Sequence, residues 1–352
     1  MNKIIIPTGY MGSGSSAVTD LVAEFKNCKN EFKTYEYVFL HCPNGLFDLE
    51  DKLLIGNNAI RSDEAIRTFE NQMKKLYNKK FWWVGNYKKI IGNDFMDITN
   101  EYINSLINFH YDGYWYMNEE VNAKMFFKLL VRKPLKILTL NKIKFKKVLK
   151  YNDGMKICLP TKEEFYKKSQ NYIYKIIEKI SRGEENVVLD QFLLPFNLHR
   201  VDNYFDDRLR VIVVERDPRD VFIINKYIWQ QKQICVPIPL DANDFCKYYR
   251  RMRESEKECN SSKVLRVKFE DLIYKYDDTL NIIINHLGFN KEDHINRKSR
   301  FNPELSIKNT QLFNNIIYKD EIKIIEKELK EYLYDFPYSL ENEVKNTVEF
   351  DD

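Results

Sequence analysis

The sequence predicts a three-layer α/β/α fold in which helices cover both faces of a central parallel sheet, with an added helical insertion. Two observations carry that prediction. Compact aliphatic and β-branched runs recur along the chain, the pattern of strands buried on both faces. Helix-period stripes separate most of them, which is the alternation that builds parallel sheets. At 352 residues, 44% hydrophobic and 31% charged, the chain has the composition of an ordinary globular protein with a sizeable core, not that of a disordered tail, a fibre or a coiled coil. It is read as one domain over residues 1–352, with the insertion at about 60–182.

The first element is a short apolar run at residues 3–6, bounded by Pro7. A Gly- and Ser-rich stretch follows, then a helix whose Ala17, Val18, Leu21, Val22 and Phe25 fall on one stripe. Residues 37–40 predict a second strand, ending at His41. Between about Ile60 and Arg182 the strand signals fade, and helical patterns rich in Lys, Tyr, Phe and Trp take over. These are expected to cover one end of the sheet. Within them, the stretch from Lys133 through Lys150 interleaves lysines with Leu, Ile and Phe. That pattern suits a solvated amphipathic helix, or one facing an anionic substrate or a membrane surface as a peripheral contact. Residues 187–189, 209–214 and 264–267 supply three further strands, and the acidic stretch 341–352 reads as a frayed tail.

Charge and cysteine usage narrow the function classes. Lys+Arg 56 against Asp+Glu 52 leaves a net charge of +4, too balanced for a dedicated nucleic-acid binder, so any anionic partner is met by a local patch. Only a run of three isoleucines precedes Pro7, short of a signal-peptide core, and no stretch is long enough to span a bilayer. The expected location is cytoplasmic. Cys28, Cys42, Cys158, Cys235, Cys246 and Cys259 contain no C-x-x-C pair, which points to reduced thiols and to no metal or redox site.

Two segments carry chemistry. Thr8-Gly9-Tyr10-Met11-Gly12-Ser13-Gly14-Ser15-Ser16 lies between the first strand and first helix, where backbone amides and a helix amino end form an anion cradle. Against G-x-x-x-x-G-K-[ST], Gly9, Gly14 and Ser16 match, but Ser15 stands where the lysine belongs. The core is therefore P-loop NTPase-like, although nucleotide triphosphate hydrolysis is disfavoured. The second segment, Glu215-Arg216-Asp217-Pro218-Arg219-Asp220-Val221, runs from a buried strand into a helix that Asp217 caps and Pro218 begins. Arg216 would project from the sheet edge with a planar fork suited to phosphate. Arg219 is a second phosphate candidate, or else the partner of a nearby carboxylate.

Together these segments resemble the sulfotransferases that use 3'-phosphoadenylyl sulfate (PAPS), and more closely the bacterial carbohydrate-type members. The first loop looks like their 5'-phosphosulfate loop and the R-D-P-R-D-V string like their 3'-phosphate motif. Lys268-Phe269-Glu270-Asp271-Leu272 is similar to their aromatic-Glu-Asp-Leu segment, and Ser306, Lys308 and Asn309 to the segment that closes over the donor. The resemblance implies a donor site made of Gly9, Gly12, Ser13, Gly14, Ser15, Ser16, Arg216, Arg219, Asn225, Phe269, Lys308 and Asn309, with Phe269 near the adenine. Two positions depart from the pattern. Gly12 stands where many members carry a loop cation, which makes Lys308 the candidate catalytic cation. Ile224 stands where the 3'-phosphate serine belongs, and Asn225 replaces it only if the helix rotates.

An acceptor hydroxyl needs a base to take its proton. Asp190, following the run 187–189, is the first candidate. His41 is the runner-up because it titrates near neutrality, and Asp48, Glu50 and His199 are weaker. The resemblance implies transfer of the sulfonate of PAPS onto a hydroxyl, of a surface saccharide by preference, releasing 3',5'-ADP without a metal. An atypical P-loop kinase and a non-catalytic nucleotide-binding protein are the alternatives.

Overall fold

The computed structural model describes residues 2–29, 35–81, 83–113, 115–116, 123–140, 142, 154–230 and 236–340. Its strands are β1 (Lys3–Gly9), β2 (Cys28–Lys29), β3 (Lys80–Phe81), β4 (Val84–Gly85), β5 (Phe109–Tyr111), β6 (Met155–Ile157), β7 (Asn186–Val188), β8 (Leu209–Glu215) and β9 (Val264–Lys268). Its helices are α1 (Ser15–Val22), α2 (Leu46–Leu54), α3 (Ala59–Asn78), α4 (Tyr87–Ile90), α5 (Asp94–Leu106), α6 (Ala123–Leu138), α7 (Lys162–Ser181), α8 (Val201–Tyr204), α9 (Pro218–Ile223), α10 (Ala242–Glu254), α11 (Asp271–Tyr274), α12 (Tyr276–Leu287), α13 (Pro303–Ser306) and α14 (Lys319–Glu328).

The main sheet has the order β2-β7-β1-β8-β9, and every pairing in it is parallel. Side chains alternate across it, as the strand period requires. Ile4, Ile6, Val211 and Val213 face one core, shared with Phe39, Phe69, Phe95 and Tyr172 of the segments between residues 37 and 181. Ile5, Ile212 and Val214 face the other, with Val18, Leu21 and Val22 of α1 and Leu280, Ile283 and Leu287 of α12. Two cores on opposite faces make the three layers the sequence predicts. A third cluster joins α9, α10 and α14 through Phe222, Phe245 and Ile325 beyond the sheet edge.

Residues 37–40 are not a strand. The amides of His41 and Cys42 both bond the Val38 carbonyl, at 3.1 and 2.8 Å, and Leu46 N bonds the Phe39 carbonyl at 3.0 Å. The run is apolar because Phe39 and Leu40 are fully buried beneath the helices, while its polar backbone is satisfied by turns. The outer strand is β2 instead, two residues long and paired to β7. The stretch expected to be helical also holds two antiparallel pairs, β3 with β4 and β5 with β6. Its long helices are strongly specified: α3 is capped by Asn58, and α7 by a reciprocal box in which Thr161 and Glu164 satisfy each other's amides.

Just past α1, Glu24 is fully buried. Its carboxylate accepts from the amides of Lys298, Arg300 and Phe301 at 3.1, 2.8 and 2.9 Å and from His294 Nε2 at 2.6 Å. His294 in turn stacks on Phe25, 4.4 Å between centroids.

Only the beginning of the stretch from Lys133 to Lys150 falls in α6; residues 141 and 143–150, the acidic stretch 341–352 and Cys235 lie outside the described residues. Cys28, Cys42, Cys158, Cys246 and Cys259 are unpaired thiols, and burial pushes those of Cys28, Cys42 and Cys158 up to about 12. No helix among the described residues is long and apolar enough to cross a membrane.

Candidate functional site

In the sheet order, β1 lies between β7 and β8, so the chain passing from β7 to β8 steps over it. Such a reversal leaves a crevice at the carboxyl ends of the strands. Four segments meet there: the loop after β1, Asp190 after β7, Arg216 after β8, and Phe269 with Glu270 after β9.

The loop owes its shape to two glycines. Gly12 and Gly14 have φ of +84° and +88°, values that side-chain-bearing residues rarely adopt. A methyl at Gly12 would stand 2.8 Å from Asn225 Nδ2, and one at Gly14 would stand 2.8 Å from the Phe269 ring. The missing loop cation thus has a steric reason, since the backbone and Asn225 leave no place for it. Gly9 ends β1, Ser13 is buried with its amide on the Tyr10 carbonyl at 2.8 Å, and no side chain caps the start of α1. The first amides of that helix are therefore open to an anion.

Arg216 lies directly against this loop. Its Nη1 donates to Gly12 O at 3.2 Å, its Nη2 donates to Asn309 O, and its guanidinium lies 4.4 Å over the Phe269 ring. It is 6% exposed, and no carboxylate among the described residues is within ion-pair distance of it. Burial accordingly pulls its pKa below the usual arginine value. Asn225 reaches the same loop from the place where α9 passes into a π-helical turn over Ile224–Trp229. Asn225 Nδ2 bonds Val221 O at 2.8 Å, and Ile224 is packed away in the interior. π-Turns of this kind are frequent at functional sites.

On the other side of β1, Asp190 hydrogen-bonds Ser15, and burial followed by the charge of Glu36 raises its carboxyl to about 7. The neighbouring Gln191 bridges Thr8 Oγ1 and Ser15 Oγ, both at 3.0 Å. His41 binds the Gln191 carbonyl through Nε2 at 2.9 Å, and burial lowers its pKa to about 4. The ring is thus neutral and Nε2 donates, which fits a support for the 190–191 turn better than a base.

Of the twelve buried polar side-chain atoms without a partner among the described residues, six belong to segments of this crevice. Ser13 Oγ, Asp190 Oδ1, Arg216 Nε, Asn225 Oδ1, Glu270 Oε2 and Asn309 Oδ1 are all buried and unbonded among the described residues. Such atoms cost free energy unless something else satisfies them.

Other sequence candidates are placed differently. Arg219 turns away from the loop: it pairs with Asp217 at 2.8 Å and Glu326 at 2.9 Å and lies 3.8 Å over Phe313. Phe269 is buried between Gly14 and Arg216, so its ring packs the site and leaves no open face for a base. Ser16 and Lys308 are exposed. Lys308 makes no ion pair among the described residues but adjoins Asn309, the acceptor from Arg216. Asp48 accepts from Asn44 N at 2.6 Å, Glu50 is held by Arg200, Tyr166 and Tyr204, and His199 lies in a short helical turn over Pro195–Arg200.

Several contributors carry no sequence signal. Tyr10 holds the loop in a charged network: its hydroxyl donates to Glu256 and accepts from Arg266 at 3.3 Å, and Arg253 lies 4.4 Å over its ring. Asp220 accepts from the amides of Gln311 and Leu312 at 2.9 and 2.8 Å, fixing the segment just past Asn309. Glu36 bonds Trp83, which lines a cavity of about 590 Å³ together with Val38, Cys42, Gln72, Leu76, Phe81 and Val84. That cavity lies beside the turn carrying His41, since Val38 and Cys42 of the turn line it.

No protein-family model matches the chain, and no curated protein matches it. Among solved structures, it is similar to a sulfotransferase domain from the Synechococcus PCC 7002 olefin synthase. The match covers 95% of each chain at 13% identity, with a TM-score of 0.38. At those values no residue or role is carried across.

Proposed function

We propose that this chain is a sulfotransferase that moves the sulfonate of PAPS onto a hydroxyl. The observation that carries the proposal is the pairing of two anion sites in one crevice: the uncapped start of α1 in its Gly/Ser loop, and a buried arginine with no carboxylate at ion-pair distance among the described residues, flanked by unbonded atoms of Asn225 and Asn309. A 3',5'-bisphosphate carries one anionic group for each.

Bound PAPS supplies a sulfonate whose bond to the 5'-phosphate oxygen breaks as the acceptor oxygen attaches, leaving 3',5'-ADP. On this reading the chain supplies the rest. Loop amides, Ser15 and Ser16 hold the 5'-phosphate, and Arg216 with Asn225 and Asn309 holds the 3'-phosphate. Asp190, poised at about 7, takes the acceptor's proton. Lys308 supplies the cation that Gly12 cannot. Positioning and fixed charge account for most of the acceleration. A saccharide hydroxyl is the acceptor that the sequence resemblance implies. The cavity beside His41, with Gln72 as its one uncharged polar side chain among apolar neighbours, favours a second reading in which the hydroxyl is borne on an apolar group.

Melting temperature tests the proposal without knowledge of the acceptor. A ligand at one hundred times its dissociation constant stabilises the folded state by about 2.7 kcal/mol. We expect 3',5'-ADP to stabilise the chain well above AMP or ATP, and without magnesium. Stronger stabilisation by magnesium-ATP would transfer the site to the kinase reading, in which metal bridges the phosphates. Binding of 3',5'-ADP with no transfer to a broad hydroxyl panel would leave a nucleotide-binding protein without activity.

A further inference from the structure

The sixth helix has its amphipathicity turned outward. In α3 the apolar residues Ile66, Phe69, Met73 and Leu76 are buried. In α6, Phe126, Leu130 and Ile137 form one row and Phe127, Val131 and Leu138 the next, at four- and seven-residue spacings, and all six are between 53% and 79% exposed. A face of this size is unusual on a chain that meets only water. The surrounding sequence says what kind of surface covers it. Residues 123–150 contain ten lysines and arginines and no aspartate or glutamate, although the whole chain is nearly balanced at +4. Lys136, on the basic side of α6, is exposed.

We propose that α6, whose own sequence carries five lysines and arginines and no aspartate or glutamate, seats this protein on an anionic membrane surface. The apolar rows enter the boundary between headgroups and acyl chains while the basic side chains meet the lipid phosphates. The helix does not cross the bilayer: it has 16 residues and carries Pro134 in its interior, against the roughly 20 apolar residues that a span needs. A second copy of the chain is disfavoured as the occupant, because two faces of this charge would repel. The proposal is independent of the donor site.

Sedimentation of the full chain with vesicles tests it. We expect co-sedimentation with phosphatidylcholine vesicles containing phosphatidylglycerol, and much weaker capture by phosphatidylcholine alone. Each basic side chain near an anionic leaflet changes partition by roughly fivefold, so Lys136→Glu is expected to weaken capture by more than that. Raised salt is expected to weaken it as well. The Phe126→Ser/Phe127→Ser variant is expected to stay in the supernatant with an unchanged melting temperature, since both side chains are exposed. The proposal is overturned if the parent stays in the supernatant with phosphatidylglycerol vesicles, or if the double variant sediments like the parent. It is also overturned if the vesicle-free chain is a dimer that the same substitutions dissociate.

Discussion

Asp190 couples the site to pH. In the unfolded chain its carboxyl titrates at about 4. In the folded chain, burial and then Glu36 hold the proton until about pH 7. Because the folded value is the higher one, stability from this group is complete below about pH 4 and is lost as pH rises through 7. Asp190→Asn removes that dependence. The variant is expected to melt above the parent at pH 8, with the difference shrinking toward pH 5. Turnover moves oppositely, since a base must first lose its proton. The parent's rate is expected to rise through about pH 7, and the variant to lose about 10²–10⁴-fold. Undiminished turnover in Asp190→Asn would remove the residue from catalysis. Asp190 was legible in the sequence because a carboxylate just after a buried strand must stand at the sheet edge. Glu36 was not, because the contact with Trp83 that places it depends on the fold of the insertion.

At the scale of elements, the end of α9 sends two neighbouring side chains in different directions. Ile224 packs into the interior and Asn225 faces the loop. Their truncations are expected to part company. Asn225→Ala is expected to weaken 3',5'-ADP binding by about tenfold or more, the size of a hydrogen bond to a charged group, with a modest effect on melting. Ile224→Ala is expected to cost about 2–5 kcal/mol of stability while the folded fraction binds 3',5'-ADP normally. Calorimetry and denaturant titration of both variants separate these outcomes, and equal donor affinity in Asn225→Ala would remove it from the site. The π-turn itself had no sequence signature, for six residues are too few to show a shift in hydrophobic phase. The strand assigned to residues 37–40 failed for a related reason: a short apolar run looks the same whether its backbone joins a ladder or folds into turns. β2, with two residues, was too short to register at all.

For the whole molecule, the layer order and the crevice were legible because β1, β7 and β8 hold compact apolar runs and each is followed closely by a residue or loop with chemistry. What stayed hidden is what joins distant parts of the chain, such as Tyr10 to Arg253, Glu256 and Arg266, and Asp220 to the segment past Asn309. Glu24 is another such join. By gathering the amides of Lys298, Arg300 and Phe301, it ties the approach to α13 and Asn309 to the far end of α1, the helix whose near end forms the anion cradle. The segment at 294–301 lacks regular secondary structure, yet its amides are expected to exchange hydrogen with solvent as slowly as those of α1, opening only when that helix opens. Glu24→Ala is expected to release these three amides to fast exchange while β1 and β8 stay protected. Addition of 3',5'-ADP is expected to slow exchange at 294–301 in the parent and not in the variant. Equal exchange in the two proteins would mean that the segment is held by other contacts. If the coupling holds, one helix reports on both halves of the crevice: what is bound at its amino end is felt, through a single carboxylate at its carboxyl end, as stiffness in the segment leading to Asn309.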